Sequence, residues 1–559
     1  MIETRRIVRR LVLHLCLGGV LAVLYPLEID AQFTDVTSTD MASCSQAFGV
    51  SWTDFDGDGD LDFYVSQLSN AGVGTVCPNR LYRNDGDVFV RVNPGAAADP
   101  RYSVAATWAD FDNDRDLDVY VGNGDTLGDP RNALYRNDGG GSFSDATTPP
   151  LDELGWAHSV VWADYDRDGL VDLYISNRRN NSGSAPTTTN KLFQNQGSGQ
   201  FVDVTTAPLN PLGAGGGVAW ADYDNDGDLD LYYAHEQGNH LLRNDDGVFV
   251  DGNVGALVGV TGGHGVAWGD YDNDADLDLT VVGVANDLLL FRNDGTTFAD
   301  VTTGDLAVQR FGAHSVAWAD YDNDGDLDFY VSREWPFCNS LFRNDGAGVF
   351  VLSTPTAVQR CVNFGRGVAW GDYDEDGDLD LLLGESANSG GVRLIRNDNA
   401  NGNRWLHVIP KATLSNRAAI GTRVTLTTSS GIQVREVSGG SGLASQDSLP
   451  VEFGLGPLTA VDTVQVRWQR PKGPQISISN VSVDQRLVVY ETAVGVRRGA
   501  SPVDLQPYEL TSWFPWTDPE PVLSPKDEAN YFYELDDPLA DIRLVKDLTT
   551  DSIRIVVRN

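Results

Sequence analysis

The sequence predicts an all-β fold: a seven-bladed β-propeller followed by a smaller β-rich domain and a short β tail. Three observations lead there. A phrase of Trp, a small residue and then Asp at every second position recurs seven times. A Phe-led strand segment also occurs seven times, and its first copy precedes every Asp phrase. After Asn403 these repeats give way to alternating apolar segments separated by Gly-rich turns.

The Asp phrases begin at Trp52, Trp108, Trp162, Trp220, Trp268, Trp318 and Trp370, and their leading Asp residues are spaced by 56, 54, 58, 48, 50 and 52 residues. Each unit reads as four short strands. An apolar strand such as Gly217 to Trp220 precedes the phrase, and a second such as Leu229 to Tyr233 follows it. The third ends in a turn such as Asn84-Asp85-Gly86, whose residues accept positive φ. The fourth starts at Phe33, Phe89, Phe143, Phe201, Phe249, Phe298 or Phe350. Four strands per repeat describe a propeller blade; a solenoid would need capping repeats. No Phe-led strand clearly follows Val392 to Asn397, so the strand at Phe33 is expected to complete blade seven and close the ring. The seven Trp residues are expected to pack between blades.

The Asp phrases also carry chemistry. Their spacing is Asp-x-Asp-x-Asp-Gly-x-x-Asp. Carboxylates at positions 1, 3, 5 and 9 and a carbonyl at position 7 can surround one hard cation, and Gly at position 6 permits the sharp turn. The candidate ligands are Asp54, Asp56, Asp58, Asp60 and Asp62; Asp110, Asp112, Asp114, Asp116 and Asp118; Asp164, Asp166, Asp168, Leu170 and Asp172; and Asp222, Asp224, Asp226, Asp228 and Asp230. The remaining sets are Asp270, Asp272, Asp274, Asp276 and Asp278; Asp320, Asp322, Asp324, Asp326 and Asp328; and Asp372, Asp374, Asp376, Asp378 and Asp380. Calcium accepts about six to eight oxygens in irregular geometry. The loops hold no His or Cys, which disfavours zinc and copper. A solvated hairpin needs one Asp at most, whereas four carboxylates this close repel one another without a cation. Up to seven Ca2+ ions are expected. Arg115 and Ala275 replace Gly at position 6 of two loops. Positive φ at a non-Gly residue costs on the order of 1 kcal/mol, and Arg115 adds a repelling charge, so those two sites are expected to be weaker.

The 559 residues include 13 Trp, enough for a large core, and carry a net charge of −40. That charge excludes nucleic acid, whose phosphates need Lys and Arg, and an anionic membrane surface. Arg5, Arg6, Arg9 and Arg10 precede an apolar stretch of 14 residues, Leu11 to Leu24. The stretch is too short to span a bilayer comfortably, so residues 1–31 read as a signal peptide ending at Ala31. Thr4-Arg5-Arg6 hints at twin-arginine export. No later segment is apolar enough to cross a membrane, and the protein is expected to be secreted, extracellular or periplasmic. Four Cys residues lie beyond the signal and fit two disulfides. Cys44–Cys77 and Cys338–Cys361 are expected, with Cys44–Cys361 as the rival pairing.

The Asp loops and Gly-Val-Ala-Trp strands resemble the FG-GAP (VCBS-type) repeats of integrin α-subunit propellers, over residues 32–400. The resemblance implies seven blades and calcium held between the first two strands of a blade. Residues 401–492 carry Ser415-Asn416-Arg417, Arg435-Glu436-Val437, Gly440-Ser441-Gly442, Phe453-Gly454-Leu455-Gly456 and Val466-Arg467-Trp468. These phrases resemble the ASPIC/UnbV domain that follows such repeats in the cartilage acidic protein family. Ala418-Ala419 stands in place of that domain's Asp-Gly, and Gln469 to Lys472 in place of its Pro-Ser-Gly turn. Residues 493–527 read as a Pro-rich linker and 528–559 as a small terminal β-element.

No catalytic constellation is apparent. HExxH is absent, and Leu443 stands where a nucleophile elbow needs its last Gly. The chain is therefore expected to be no enzyme but a binding or adhesion module for an extracellular protein or glycan. The alternatives are a calcium-dependent polysaccharide-acting enzyme, drawing its acid and base from the carboxylates, and an accessory protein in a surface or biosynthetic assembly. The sequence sets no oligomeric state. The Asp loops occupy one face of the ring; connections of variable length, such as Ser66 to Asn79 and Ser176 to Asn190, occupy the other, where recognition is expected. His158, His264 and His314 each stand six residues before a leading Asp, with Arg366 at the equivalent place in blade seven. They are expected to ring the channel mouth on that second face and to read an anionic or glycan ligand, or else only to bridge neighbouring blades.

Overall fold

The repeats build seven four-stranded antiparallel sheets. The computed structural model describes residues 33–491 apart from short loop stretches, chiefly 69–76, 125–130 and 179–188, together with four later strands. The proposed signal segment lies outside the described residues. Blade one runs Ala47–Thr53, Asp62–Gln67, Arg80–Asn84 and Phe89–Val92 from the channel outward. Its innermost strand is buried along its whole length, whereas its outermost has no fully buried residue. That gradient explains why the first strand of each repeat is a run of small and apolar residues rather than an alternation.

Closure follows the sequence pattern. Phe33–Asp35 pairs antiparallel with Val392–Asn397, Phe33 opposite Asn397, and becomes the outermost strand of blade seven. The Asp-loop aromatic of one blade stacks on the Trp of the next: Tyr373 on Trp52 at 6.2 Å, Tyr223 on Trp268 at 6.2 Å and Tyr271 on Trp318 at 6.4 Å. Cys338 and Cys361 form a disulfide, which excludes the rival Cys44–Cys361 pairing. Cys77 is also disulfide-bonded; Cys44 lies outside the described residues.

The second domain has two four-stranded sheets. One orders Val451–Gly456, Arg404–Lys411, Gln485–Tyr490 and Val496–Arg498; the other Gly431–Glu436, Arg423–Thr428, Ala460–Arg467 and Gln475–Ser482. Val496–Arg498 extends this domain into the stretch expected as a linker, the rest of which lies outside the described residues. Strands Asn530–Glu534, Asp541–Asp547 and Ser552–Arg558 form a separate antiparallel sheet at the expected terminal element.

The second domain also sends a segment into the propeller channel. Residues 438–448, which read in sequence as one of the Gly-rich turns, form a plug. Ser445–Gln446 pairs in parallel with Val50 and Ser51 of blade one. Gln446 exchanges two hydrogen bonds with the Trp108 backbone, at 2.6 and 3.0 Å, and Trp162 N–H donates to the Gly439 carbonyl at 3.0 Å. Gly442 exchanges two with Val266, the Leu443 N–H reaches Ser315 Oγ at 2.9 Å, and the Trp370 N–H reaches Asp447 at 2.8 Å. At its closest approaches the channel wall admits no side chain. A Cβ at Gly439 would lie 2.1 Å from the Trp162 carbonyl, and one at Gly217 of blade four 2.4 Å from the Gly442 carbonyl. Leu443 is fully buried within the largest apolar cluster, with Val104 and Val160 of the propeller. Leu443→Ala should therefore lower the unfolding free energy by about 2–4 kcal/mol, read by denaturant melts. Val88→Ala, at a residue 61% exposed, should stay within about 0.5 kcal/mol; equal effects of the two would rule out a packed plug.

Candidate metal centres

Each Asp loop is bent by two left-handed residues, at positions 4 and 6. In the fourth loop these are Asn225 at φ 64° and Gly227 at φ 100°. Arg115 and Ala275 adopt φ 87° and 76° at position 6, so both non-Gly residues take up the strained conformation. The bend folds the carboxylates inward. Oxygens of Asp110, Asp112 and Asp118 lie within 4.8 Å of one another, as do those of Asp164, Asp166 and Asp172, of Asp222, Asp224 and Asp230, and of Asp270, Asp272 and Asp278. In the first loop the converging group is Asp54, Asp56 and Asp58. Position 5 is solvent-exposed in every loop, and its carboxylate accepts the N–H of position 7, as Asp168 does from Leu170 at 2.9 Å. Position 7 is thus tied to position 5 through its backbone N–H.

Position 9 anchors the arrangement. Its carboxylate is buried in all seven blades. It accepts the N–H of the loop's second residue and the N–H of an Asn at the end of the third strand, at 2.7–3.3 Å throughout; in blade one these donors are Phe55 and Asn84 to Asp62. The same Asn then reaches across the blade boundary. Its side-chain amide donates to the second-residue carbonyl of the preceding blade's Asp loop at 2.7–2.9 Å, from Asn84, Asn137, Asn195, Asn244, Asn293, Asn344 and Asn397. In sequence this Asn stands out only as a turn former; its sevenfold recurrence is the signal for the second role.

A cation fits these cradles. Buried oxygens of Asp54, Asp56, Asp112, Asp164 and Asp272 have no hydrogen-bond partner, and a buried carboxylate oxygen left so is costly. The donors are all oxygen and their burial is graded from position 9 to position 5, which suits a hard cation of irregular coordination such as calcium. Burial pushes Asp62 up to about 8 and Asp118 and Asp278 up to about 9. At position 1, burial likewise carries Asp164 and Asp372 to about 8 and Asp110 and Asp270 to about 7.

The second domain covers this face. Arg467 pairs with Asp222, bringing a competing cation to the fourth loop, and His407 Nδ1 lies 3.4 Å from Asp372. Arg423 donates to the Asp222 carbonyl at 3.2 Å and to the Ala275 carbonyl at 2.7 Å. The Arg417 N–H donates to Asn113 at 3.0 Å, the Gly456 N–H to the Asn323 carbonyl at 2.8 Å, and Arg486 to the Gly59 carbonyl at 3.2 Å. Beside this contact a cavity of 140 Å³ separates the second domain from blades four to seven, lined by Trp220, Trp268, Trp318 and Arg435.

At the other end of the channel, His158, His264, His314 and Arg366 come together with Phe48. The ring centroids of His158 and His264 are 5.9 Å apart and those of His264 and His314 4.8 Å. Arg366 donates to His314 Nδ1 at 3.2 Å and stands 4.8 Å over the Phe48 ring. The sequence reading missed two further members, Glu334, whose carboxylate lies 3.1 Å from His314 Nε2, and Arg178, 3.4 Å from His158 Nε2. Burial holds His264 and His314 down to about 3 and His158 well below its ordinary value.

Comparison with known families matches residues 123–175, 180–233, 222–281, 270–331 and 336–383 to the FG-GAP-like repeat. Residues 412–495 match the ASPIC and UnbV family. This chain carries FG-GAP-like repeats followed by an ASPIC and UnbV domain. It is similar to cartilage acidic protein 1 of Mus musculus, 26% identical over 311 residues, 54% of this chain and 41% of that protein. The Xenopus tropicalis cartilage acidic protein 1 is 28% identical over 290 residues, 50% of this chain and 38% of that protein. The chain thus spans about two fifths of the length of these relatives. An Agrocybe aegerita lectin, described for its recognition of non-reducing terminal N-acetylglucosamine, matches 58% of this chain and 88% of its own at 17% identity, with a TM-score of 0.40.

The raised carboxyls of the FG-GAP-like loops set a pH dependence. With free carboxyl groups near 3.9 in the unfolded chain, the metal-free folded state binds more protons than the unfolded state through the neutral and mildly alkaline range. Its stability must then fall as pH rises. The buried histidines are neutral throughout that range. In chelator, the melting midpoint should drop between about pH 7 and about pH 9; a midpoint that holds or rises would contradict the burial of metal-free carboxyls.

Proposed function

We propose that the chain is an exported, calcium-stabilised propeller acting as a non-enzymatic binding module for an extracellular protein or glycan. The ASPIC and UnbV domain lies in cis over the Asp loops, and the partner takes the opposite face. The observation that carries this reading is the convergence of buried carboxylates, several with orphaned oxygens, in loops that every blade presents to one side. Each such site is held by its own blade and by the Asn of the next. Calcium in these sites would therefore brace the ring, leaving recognition to the free face. The Cys338–Cys361 disulfide accords with an oxidising compartment. Among the described residues no helix is long and apolar enough to cross a membrane.

Sites differ in this reading. The loops with Arg115 and Ala275 bear backbone strain at position 6, and the fourth loop shares Asp222 with Arg467. These three should fill last in a calcium titration followed by calorimetry. Each site that binds only the folded state adds about 2.7 kcal/mol at a hundredfold excess over its Kd. The melting midpoint should rise in millimolar calcium and fall in chelator. An identical midpoint in both would sink the calcium reading.

A further inference from the structure

Among the described residues, four Phe and Trp side chains are solvent-exposed, and all four gather at one place. They are Phe311 at 55%, Trp335 at 66%, Phe337 at 37% and Phe364 at 37% exposure. They come from the segment entering blade six, the connection after its second strand, and the first strand of blade seven. This is the face opposite the Asp loops, beside the channel mouth. Elsewhere among the described residues the exposed large apolar side chains are all aliphatic.

The platform is fixed rather than loose. Phe311 and Phe337 stack with centroids 5.8 Å apart. The Glu334 N–H donates to the Gly312 carbonyl at 2.8 Å, and the Phe337 N–H to the Glu334 carbonyl at 3.0 Å. Buried Arg333 holds the Phe311 carbonyl at 2.7 Å, and a backbone bridge joins Glu334 to Phe364. The Cys338–Cys361 disulfide ties the Trp335 connection to the chain entering blade seven. Exposing aromatic surface on a scaffold this well tied is a feature of recognition sites.

Polar groups meet the platform at its inner edge. The Arg366 guanidinium lies 4.9 Å over the Phe364 ring, and its buried Nε has no hydrogen-bond partner. Its Nη1 is engaged by His314, whose other nitrogen is engaged by Glu334. Arg178 adds a second guanidinium at the His158 side. Two guanidinium groups and one carboxylate leave this spot locally cationic in a chain of net charge −40.

We propose that Phe311, Trp335, Phe337 and Phe364, with Arg366 at their edge, form a subsite for a carboxylated saccharide. This deepens the binding-module reading and rests on it. Flat aromatic faces stack on the C–H face of a pyranose ring, and a guanidinium at their edge takes a carboxylate in planar geometry. A protein partner would want a broader apolar core than four rings flanked by charge.

The test uses the full chain in calcium and titration calorimetry against size-matched probes: an oligogalacturonate, a sialylated oligosaccharide, a neutral malto-oligosaccharide and a sulfated heparin fragment. Binding of either carboxylated probe, and not of the neutral one, is expected; which of the two binds separates uronate from sialate as the source. Trp335→Ala should keep the melting midpoint and weaken that binding about tenfold or more. Arg366→Lys should weaken it by removing planar pairing while retaining charge. Failure of both carboxylated probes, or preference for the sulfated one, would overturn the proposal. So would carboxylated-saccharide binding that Trp335→Ala leaves unchanged, although the module reading would then stand. Capture of an extracellular protein through Trp335 in place of any saccharide would also overturn it and keep the module. Release of reducing ends from polygalacturonate would instead overturn the non-enzymatic reading, and this proposal with it.

Discussion

Seven buried aspartates hold this molecule together, one at the ninth position of each Asp loop. Each draws an N–H from the start of its own loop and another from an Asn two strands away, so one carboxylate fixes the loop against its blade. The Asn then spends its side chain on the carbonyl of the neighbouring loop. Loop geometry, blade geometry and blade-to-blade registry are therefore one network, repeated around the ring. In a low-dielectric interior such a network is strong when complete and costly when one member is missing. A cation in the cradle would complete it, because it would supply the charge that two neutral donors do not.

The ASPIC and UnbV domain converts that face from a surface into an interface. Its Arg and His side chains stand on leading carboxylates and loop carbonyls, and its plug fills the channel that the ring leaves behind. Hydrogen bonds from the plug to six blades make it a hub for the innermost strands, whose own edges would otherwise face an open pore. One face of the ring is therefore used internally.

Much of this was legible in the sequence because it is periodic. The spacing of Trp and Asp gave the blade count, and the unmatched strand at Phe33 gave the closure. The position-6 residues Arg115 and Ala275 announced backbone strain that the φ values bear out. What stayed hidden was not periodic. The docking of residues 401–492 onto the Asp loops joins parts of the chain hundreds of residues apart, and no local pattern encodes it. The Gly439 to Gly442 run reads as a Gly-rich turn, although its glycines answer a channel wall supplied by other blades. The exposed aromatics were equally silent: Phe311, Trp335 and Phe364 come from three separate segments, and only the folded ring brings them together.

The closure by Phe33–Asp35 also orders events in time. Its partner strand lies 364 residues downstream, so this strand cannot pair until the third strand of blade seven has been made. Until Val392–Asn397 arrives, blade seven has no outer strand and the first segment has nowhere to dock. Domains generally assemble from the N-terminus as they emerge, yet here the leading segment must wait while six blades stack behind it. Closing so long a loop is entropically slow rather than prohibitive. Residues 438–448 emerge later still, after the last blade. The channel is thus filled by a segment made after the ring that encloses it, and the folded state is sealed from its C-terminal side.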